Sequence, residues 1–173
     1  MSASSALRHP WALPAVDVRL ARPEDVSAVL ALWAQARSAL AQTEDRPAAV
    51  ARLARDGALV VAVGPDGVVV GTLIAAYDGW RGNMYRLVVA PARRRRGIGR
   101  RLIEAGEERL RQVGARRVSA LVARDDAVVN RVWEAAGYAA DPTLGRWVRN
   151  PVGPVSGVRS RRPSPAVRRA RRA

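Results

Sequence analysis

The sequence predicts an α/β (α+β) fold, a central mixed and twisted sheet flanked by helices. Three observations carry this. Apolar residues alternate or form short blocks in six segments, and recur at helical spacing in four others. A strand–helix–strand unit over residues 83–123 lets two strands pair in parallel through a right-handed crossover. No unit of 20–50 residues repeats, which argues against a solenoid.

The elements follow in order. Val16–Leu20 alternates and reads as a first strand. Pro23, Glu24 and Asp25 suit a first helical turn, where a proline lacks nothing and acids meet the positive end of the helix dipole. Val26, Val29, Leu30, Trp33 and Leu40 then extend helix 1 over about 24–40. A shorter helix at 47–55 again opens on proline. Segments 58–63 and 68–77 are apolar runs around Gly64-Pro-Asp-Gly67, a hairpin signal. Segment 83–90 is a strand ended by Pro91. From Gly97 to Val113, Ile98, Leu102, Ala105, Gly106, Leu110 and Val113 share one helical face, and Gly114 is the stop. Segment 117–123 is a strand. Asp125 or Asp126 caps a helix over 127–136, and 146–149 is a last strand.

The 173 residues carry 30 basic and 15 acidic side chains, a net charge of +15, and every base is Arg. This habit has the look of a GC-rich, bacterial coding sequence. Residues 150–173 hold seven Arg, four Pro, three Ser and no acid, the composition of a disordered basic tail. Removing them leaves +8 on residues 1–149. Residues 1–15 have little pattern and read as a flexible arm, so the folded domain is expected at 16–149. With no Cys and a single His, no disulfide framework, thiol nucleophile or zinc cluster is expected, and no other metal is implied. No apolar run reaches membrane-spanning length, and the start lacks the pattern of a secretory signal, so a cytoplasmic protein without membrane contact is expected.

The most informative stretch runs from Tyr85 through Pro91 and the four arginines 93–96 to Leu102. It reads as a strand that ends, a turn, and a helix start. The first N–H groups of a helix lack internal partners and carry partial positive charge. Gly97 and Gly99 remove Cβ atoms and let an anion reach that backbone, with mobile arginines beside it. A Walker loop would need a lysine, and a dinucleotide fingerprint would need a glycine where Leu102 stands.

Arg94-x-x-Gly97-x-Gly99, placed after Leu87-Val-Val-x-Pro91, resembles the coenzyme A motif of the GNAT superfamily of N-acetyltransferases. Downstream, Asp126, Asn130, Trp133, Gly137 and Tyr138 resemble the family's Asn-x6-Tyr-x3-Gly-Phe pattern, with Asp126 in place of Asn and Trp133 in place of Tyr. The resemblance spans residues 16–149. It implies transfer of an acetyl group from acetyl-CoA to the amine of an unidentified acceptor. It places the cofactor on Leu87, Val88, Val89, Arg94, Arg95, Arg96, Gly97, Ile98, Gly99, Arg100, Asp126, Asn130 and Trp133. The backbone of 95–100 would wrap the pyrophosphate, and a strand amide among 87–89 would meet the developing oxyanion. The strands at 83–90 and 117–123 should splay apart to admit the cofactor.

The catalytic groups stay open. Positions where relatives carry a glutamate base fall near Tyr85 and Leu121, and neither is a carboxylate. Tyr138 and Tyr85 are the catalytic candidates, with Asp78 and Asp125 beside them. Trp133 and Tyr138 equally suit core aromatics at a helix–strand junction. The loop 77–84, with Trp80 between two glycines, suits either an acceptor-side loop or a plain hairpin turn with a packed tryptophan. Two other functions compete: an acetyl-CoA-binding protein with little or no transfer, and a basic nucleic-acid-binding accessory whose tail at 150–173 touches polyanions. A homodimer is also left open.

Overall fold

The computed structural model describes residues 16–36, 43–124 and 126–145. Five strands form one sheet in sequential order: β1 (Asp17–Leu20), β2 (Leu59–Val63), β3 (Val69–Tyr77), β4 (Gly82–Val89) and β5 (Val118–Ala120). The first four pair antiparallel, and β5 joins β4 in parallel. Four helices cover the sheet: α1 (Val26–Gln35), α2 (Pro47–Arg55), α3 (Ile98–Gln112) and α4 (Ala127–Ala135). The mixed α/β architecture is the one the element order implied.

Each face of the sheet has its own core. Val60, Ala62, Val70, Leu73, Ala75 and Met84 meet Ile98, Leu102, Ile103 and Leu110 of α3 and Trp133 of α4. Leu59, Val61, Val69 and Ile74 meet Val29, Leu32 and Trp33 of α1 and Val50 and Ala54 of α2. Alternation along β2 sends neighbouring side chains to opposite faces, so its continuous apolar run is buried on both sides.

Helix 1 differs from expectation at both ends. Residues Pro23–Asp25 form a 3-10 turn, and the α-helix begins at Val26. It ends at Gln35, where Ala36 leaves helical geometry while its N–H still bonds Leu32 C=O. The expected stretch to residue 40 runs into 37–40, outside the described residues. The β2–β3 turn is as expected: Gly64 N–H donates to Val68 C=O and Gly67 N–H to Gly64 C=O. The expected strand at 146–149, the arm and the tail also lie outside the described residues.

Two features of β4 set up the site. Ile74 faces Tyr85 but Thr72 faces Val88, so β4 carries an extra residue there. Arg86 absorbs it at φ 56°. Second, β5 pairs with β4 only from Gly82 to Met84, flanked by two further bonds, Gly82 N–H to Arg117 C=O and Leu121 N–H to Met84 C=O. Among the described residues, β4 has no ladder partner on its β5 side from Tyr85 to Val89. The expected strand 117–123 is therefore paired only at its beginning.

Candidate active site

Beyond Val89 the chain makes a 3-10 turn at Pro91–Arg93 and enters α3. Arg95 lies at φ 59°, and Gly97, the residue before the helix, at φ 75° and ψ 0°. Arg94 is extended, so the two left-handed residues that follow it turn the backbone sharply just before the helix start, where N–H groups without internal partners favour an anion. No side chain caps α3. Its first internal bond is Arg101 N–H to Gly97 C=O at 3.1 Å, so the amides of Ile98, Gly99 and Arg100 precede the helical ladder. A Cβ on Gly97 would project into open space, while one on Gly99 would touch Val132 and Val89 at ordinary contact distance. The two glycines thus differ: backbone conformation requires a glycine at Gly97, whereas the surroundings of Gly99 leave room for a Cβ.

The arginines of the run divide. Arg93 pairs with Asp66 of the β2–β3 turn at 3.1 Å. Arg94 Nε donates to Val89 C=O at 3.2 Å, tying the loop to the end of β4. Arg95 and Arg96 are exposed in this turn. Arg100 pairs with Glu104 at 2.8 Å one turn along the helix. Ile98 buries its side chain in the α3 core, so only its backbone faces the cradle. Leu87 and Val89 pack toward α3, and Val88 toward α1 and α2.

On α4, Asp126 is a helix cap, its Oδ1 accepting from Val128 N–H and Val129 N–H. Asn130 Nδ2 donates to Arg124 C=O at 2.9 Å and fastens the loop before the helix. Trp133 is 4% exposed, and its ring meets that of Tyr138 edge to face at a centroid distance of 5.0 Å. The Tyr138 hydroxyl donates to Glu107 Oε1 at 2.9 Å. Burial, and then Glu107, push Tyr138 ionisation far above its ordinary range.

Tyr85 packs on the opposite face, among the α1 and α2 residues, and burial raises its pKa. The two candidate tyrosines therefore stand on different sides of the sheet. Asp78 lies at the other end of β4 from the cradle. Its Oδ1 accepts from Trp80 N–H and Arg81 N–H, and these bonds hold it below the usual carboxylate range. Asp125 lies outside the described residues.

Periodicity did not reveal what supports the bulge. Arg86 pairs with Asp45, which precedes α2, and its guanidinium lies 4.6 Å from the Trp33 ring centroid. Thr72 Oγ1 accepts from Trp33 Nε1 and donates to Arg86 C=O at 3.4 Å. The one clue was a charged residue inside an otherwise apolar strand. Among the described residues no group of three His, Cys, Asp or Glu side chains is placed to hold a metal ion. No helix among them is long and apolar enough to cross a membrane.

A mixed sheet, a strand edge without a ladder partner among the described residues, and a left-handed turn into the uncapped start of the next helix define an α/β protein with its candidate site at a strand end. Residues 24–138 match the acetyltransferase (GNAT) family, and the chain belongs to that family. Solved structures share the fold. An aminoglycoside N-acetyltransferase, AAC(6')-Iy, in complex with CoA superposes with a TM-score of 0.64 at 18% identity, covering 78% of this chain and 95% of that one. A putative acetyltransferase from Agrobacterium tumefaciens gives 0.57 at 23% identity, covering 78% and 99%. Ard1 from Thermoplasma volcanium gives 0.61 at 22% identity, covering 72% and 83%.

Proposed function

We propose that this protein is a cytoplasmic N-acetyltransferase that moves acetyl from acetyl-CoA to a primary amine by direct attack in a ternary complex. The observation that carries the reading is the pairing of two features: the left-handed turn at Arg95 and Gly97 that leads into the unladdered amides of Ile98, Gly99 and Arg100, and the edge of β4 beyond Met84 that has no ladder partner among the described residues. Both suit a long ligand with a pyrophosphate at one end and amides along its arm. Arg95 to Arg100 would hold the pyrophosphate through backbone N–H groups, with Arg95 and Arg96 adding charge. The free edge of β4 would hold the arm and offer an amide to the oxyanion. Coenzyme A supplies the activated acetyl group as a thioester. The amine nitrogen bonds the carbonyl carbon, the C–S bond breaks, and the thiol leaves with the proton that the amine loses.

Holding both reactants in line provides much of the acceleration. The Tyr138 hydroxyl keeps its proton at neutral pH but aims it at Glu107, and Tyr85 is half-buried on the other face. These two observations favour a second reading, an acetyl-CoA binder with weak transfer, in which proton movement is left to water.

One experiment separates the two. The protein is incubated with acetyl-CoA and a panel of primary amines, and free thiol is followed, with Gly97→Glu as control. Amine-dependent release that disappears in the variant supports the enzyme. Tight acetyl-CoA binding without amine-dependent release supports the second reading. Unchanged coenzyme affinity in Gly97→Glu sinks the cradle itself.

A further inference from the structure

The acetyl-transfer reading leaves one charged cavity unused. It lies at the β3–β4 hairpin, where the end of α3 and the start of β5 come together. Its volume is about 310 Å3, and Tyr77, Trp80, Arg81, Arg116, Arg117 and two glycines line it. Gly82 pairs with Val118 at the closed end of the β4–β5 pair. The bulge at Arg86 lies four residues along β4, roughly 13 Å away at the usual rise of a strand. The cradle is farther still.

Of the two readings the sequence left open for this loop, the turn with a packed tryptophan does not hold. Trp80 is 72% exposed. Its backbone is nonetheless fixed, because Asp78 Oδ1 accepts from the amides of Trp80 at 2.8 Å and Arg81 at 2.6 Å. The Arg81 guanidinium lies 4.2 Å from the Trp80 ring centroid. Arg116 and Arg117, some 35 residues on, also line this cavity and bring two more cations to it. The acids nearby are already engaged. Asp78 holds the turn, and Asp141, 3.8 Å from Arg117, accepts from Thr143 N–H and Oγ1–H. The last carbonyls of α3 would repel an anion, but Arg109, Leu110 and Arg111 C=O accept from Val113, Ala115 and Gly114 N–H. A flat exposed indole beside forked cations is the chemistry that takes a planar base joined to a phosphate.

We propose that this cavity binds a nucleotide unit, its base stacked on Trp80 and its phosphate held by Arg116 and Arg117, at a site separate from the coenzyme cradle. The unit is either a free nucleotide or part of a single strand, and UMP and a fluorescein-labelled U8 oligonucleotide distinguish the two sources.

Binding of both probes is measured on the full chain, for wild type, Trp80→Ala, Trp80→Phe, the Arg116→Ala/Arg117→Ala pair and Gly97→Glu. Loss of the stacking surface is expected to weaken binding about tenfold, with partial recovery in Trp80→Phe. Removing the two arginines should lower the slope of log affinity against log salt by about two. Gly97→Glu should bind both probes as wild type does. If only U8 binds, the source is a strand; if UMP binds as well, a free nucleotide suffices. The proposal is overturned if neither probe binds, or if Trp80→Ala, shown folded by its thermal melt, binds as tightly as wild type. Loss in Gly97→Glu would also overturn it, by placing the ligand in the cradle.

Discussion

The indole N–H of Trp33 donates to the hydroxyl of Thr72 at 2.8 Å, and both side chains are buried. This bond joins α1 to the middle of β3, and the same hydroxyl reaches Arg86 C=O at the bulge. Thr72→Val keeps the volume but leaves the indole N–H without an acceptor. A buried unpaired donor costs about 1–3 kcal/mol. Urea denaturation should show a loss of that size for Thr72→Val and much less for Thr72→Ser. Equal stability of the valine and serine variants would mean the hydrogen bond contributes nothing.

Asp25 gives the fold an acid-sensitive point. Its carboxylate accepts from Arg19 at 2.7 and 3.0 Å and from Arg22 N–H at 2.7 Å. The Arg19 bonds, and then the Arg22 amide, hold its pKa below the ordinary value against the opposing effect of burial. A lowered folded-state pKa means stability that is present above the ordinary value and lost as pH falls through the folded one. Thermal melts should therefore fall as pH drops below about 4, the unfolded carboxylate range. Asp25→Asn should cost about 2 kcal/mol at pH 7, the worth of a charge-assisted bond. It should also flatten that acid limb; an unchanged limb would place the acid sensitivity elsewhere.

Tyr138 acts in the opposite direction. Its ionisation is raised by burial first and by Glu107 second. A raised folded-state pKa means stability that is complete below the unfolded value and lost as pH rises above it. Melting temperatures should decline as pH rises past about 10, where an unfolded tyrosine ionises and the folded one does not. Tyr138→Phe should lessen the decline while leaving the neutral-pH fold intact. A phenylalanine variant with the same alkaline limb as wild type would contradict the assignment.

Gly97 and Gly99 should respond differently to alanine. At φ 75° a side chain on Gly97 is strained, by about 1–2 kcal/mol. Gly99 is helical, and its Cβ would meet Val132 at 3.6 Å without displacement. Calorimetry should show Gly97→Ala less stable and weaker for acetyl-CoA, with Gly99→Ala close to wild type in both. The reverse order would show that the close approach of α4, and not the left-handed turn, shapes the cradle.

Much of this was legible in the sequence because it is local. The spacing of Ile98, Leu102, Gly106 and Leu110 spells the buried face of α3, and Gly64-Pro-Asp-Gly67 spells the β2–β3 hairpin. The succession of β4, a tight turn and α3 was legible because its parts are consecutive. The bulge was not. Arg86 takes a left-handed conformation that arginine does not favour, and its supports come from Trp33, Asp45 and Thr72, distant in the chain. The two readings of Trp80 stayed open for a related reason. Nothing in a hairpin's own residues reports that Arg116 and Arg117 will stand across from it.

Gly106 tests the packing that this sequence reading did expect. It sits inside α3, where alanine would favour the helix by about 1 kcal/mol. Its Cβ, however, would meet Leu73 Cδ2 at 2.6 Å and Met84 Sδ at 3.0 Å. Both are ends of side chains, but Leu73 and Met84 are fully enclosed between the helix and the sheet, so neither has room to swing aside. Overpacking of this kind costs about 1–3 kcal/mol. The steric cost exceeds the propensity gain, and Gly106→Ala should be net destabilising in denaturant melts. Pairing it with Met84→Ala, which opens space at the same contact, should recover part of the loss relative to the sum of the two single changes. Strict additivity would show that the glycine is present for some reason other than the close approach of α3 to β3 and β4.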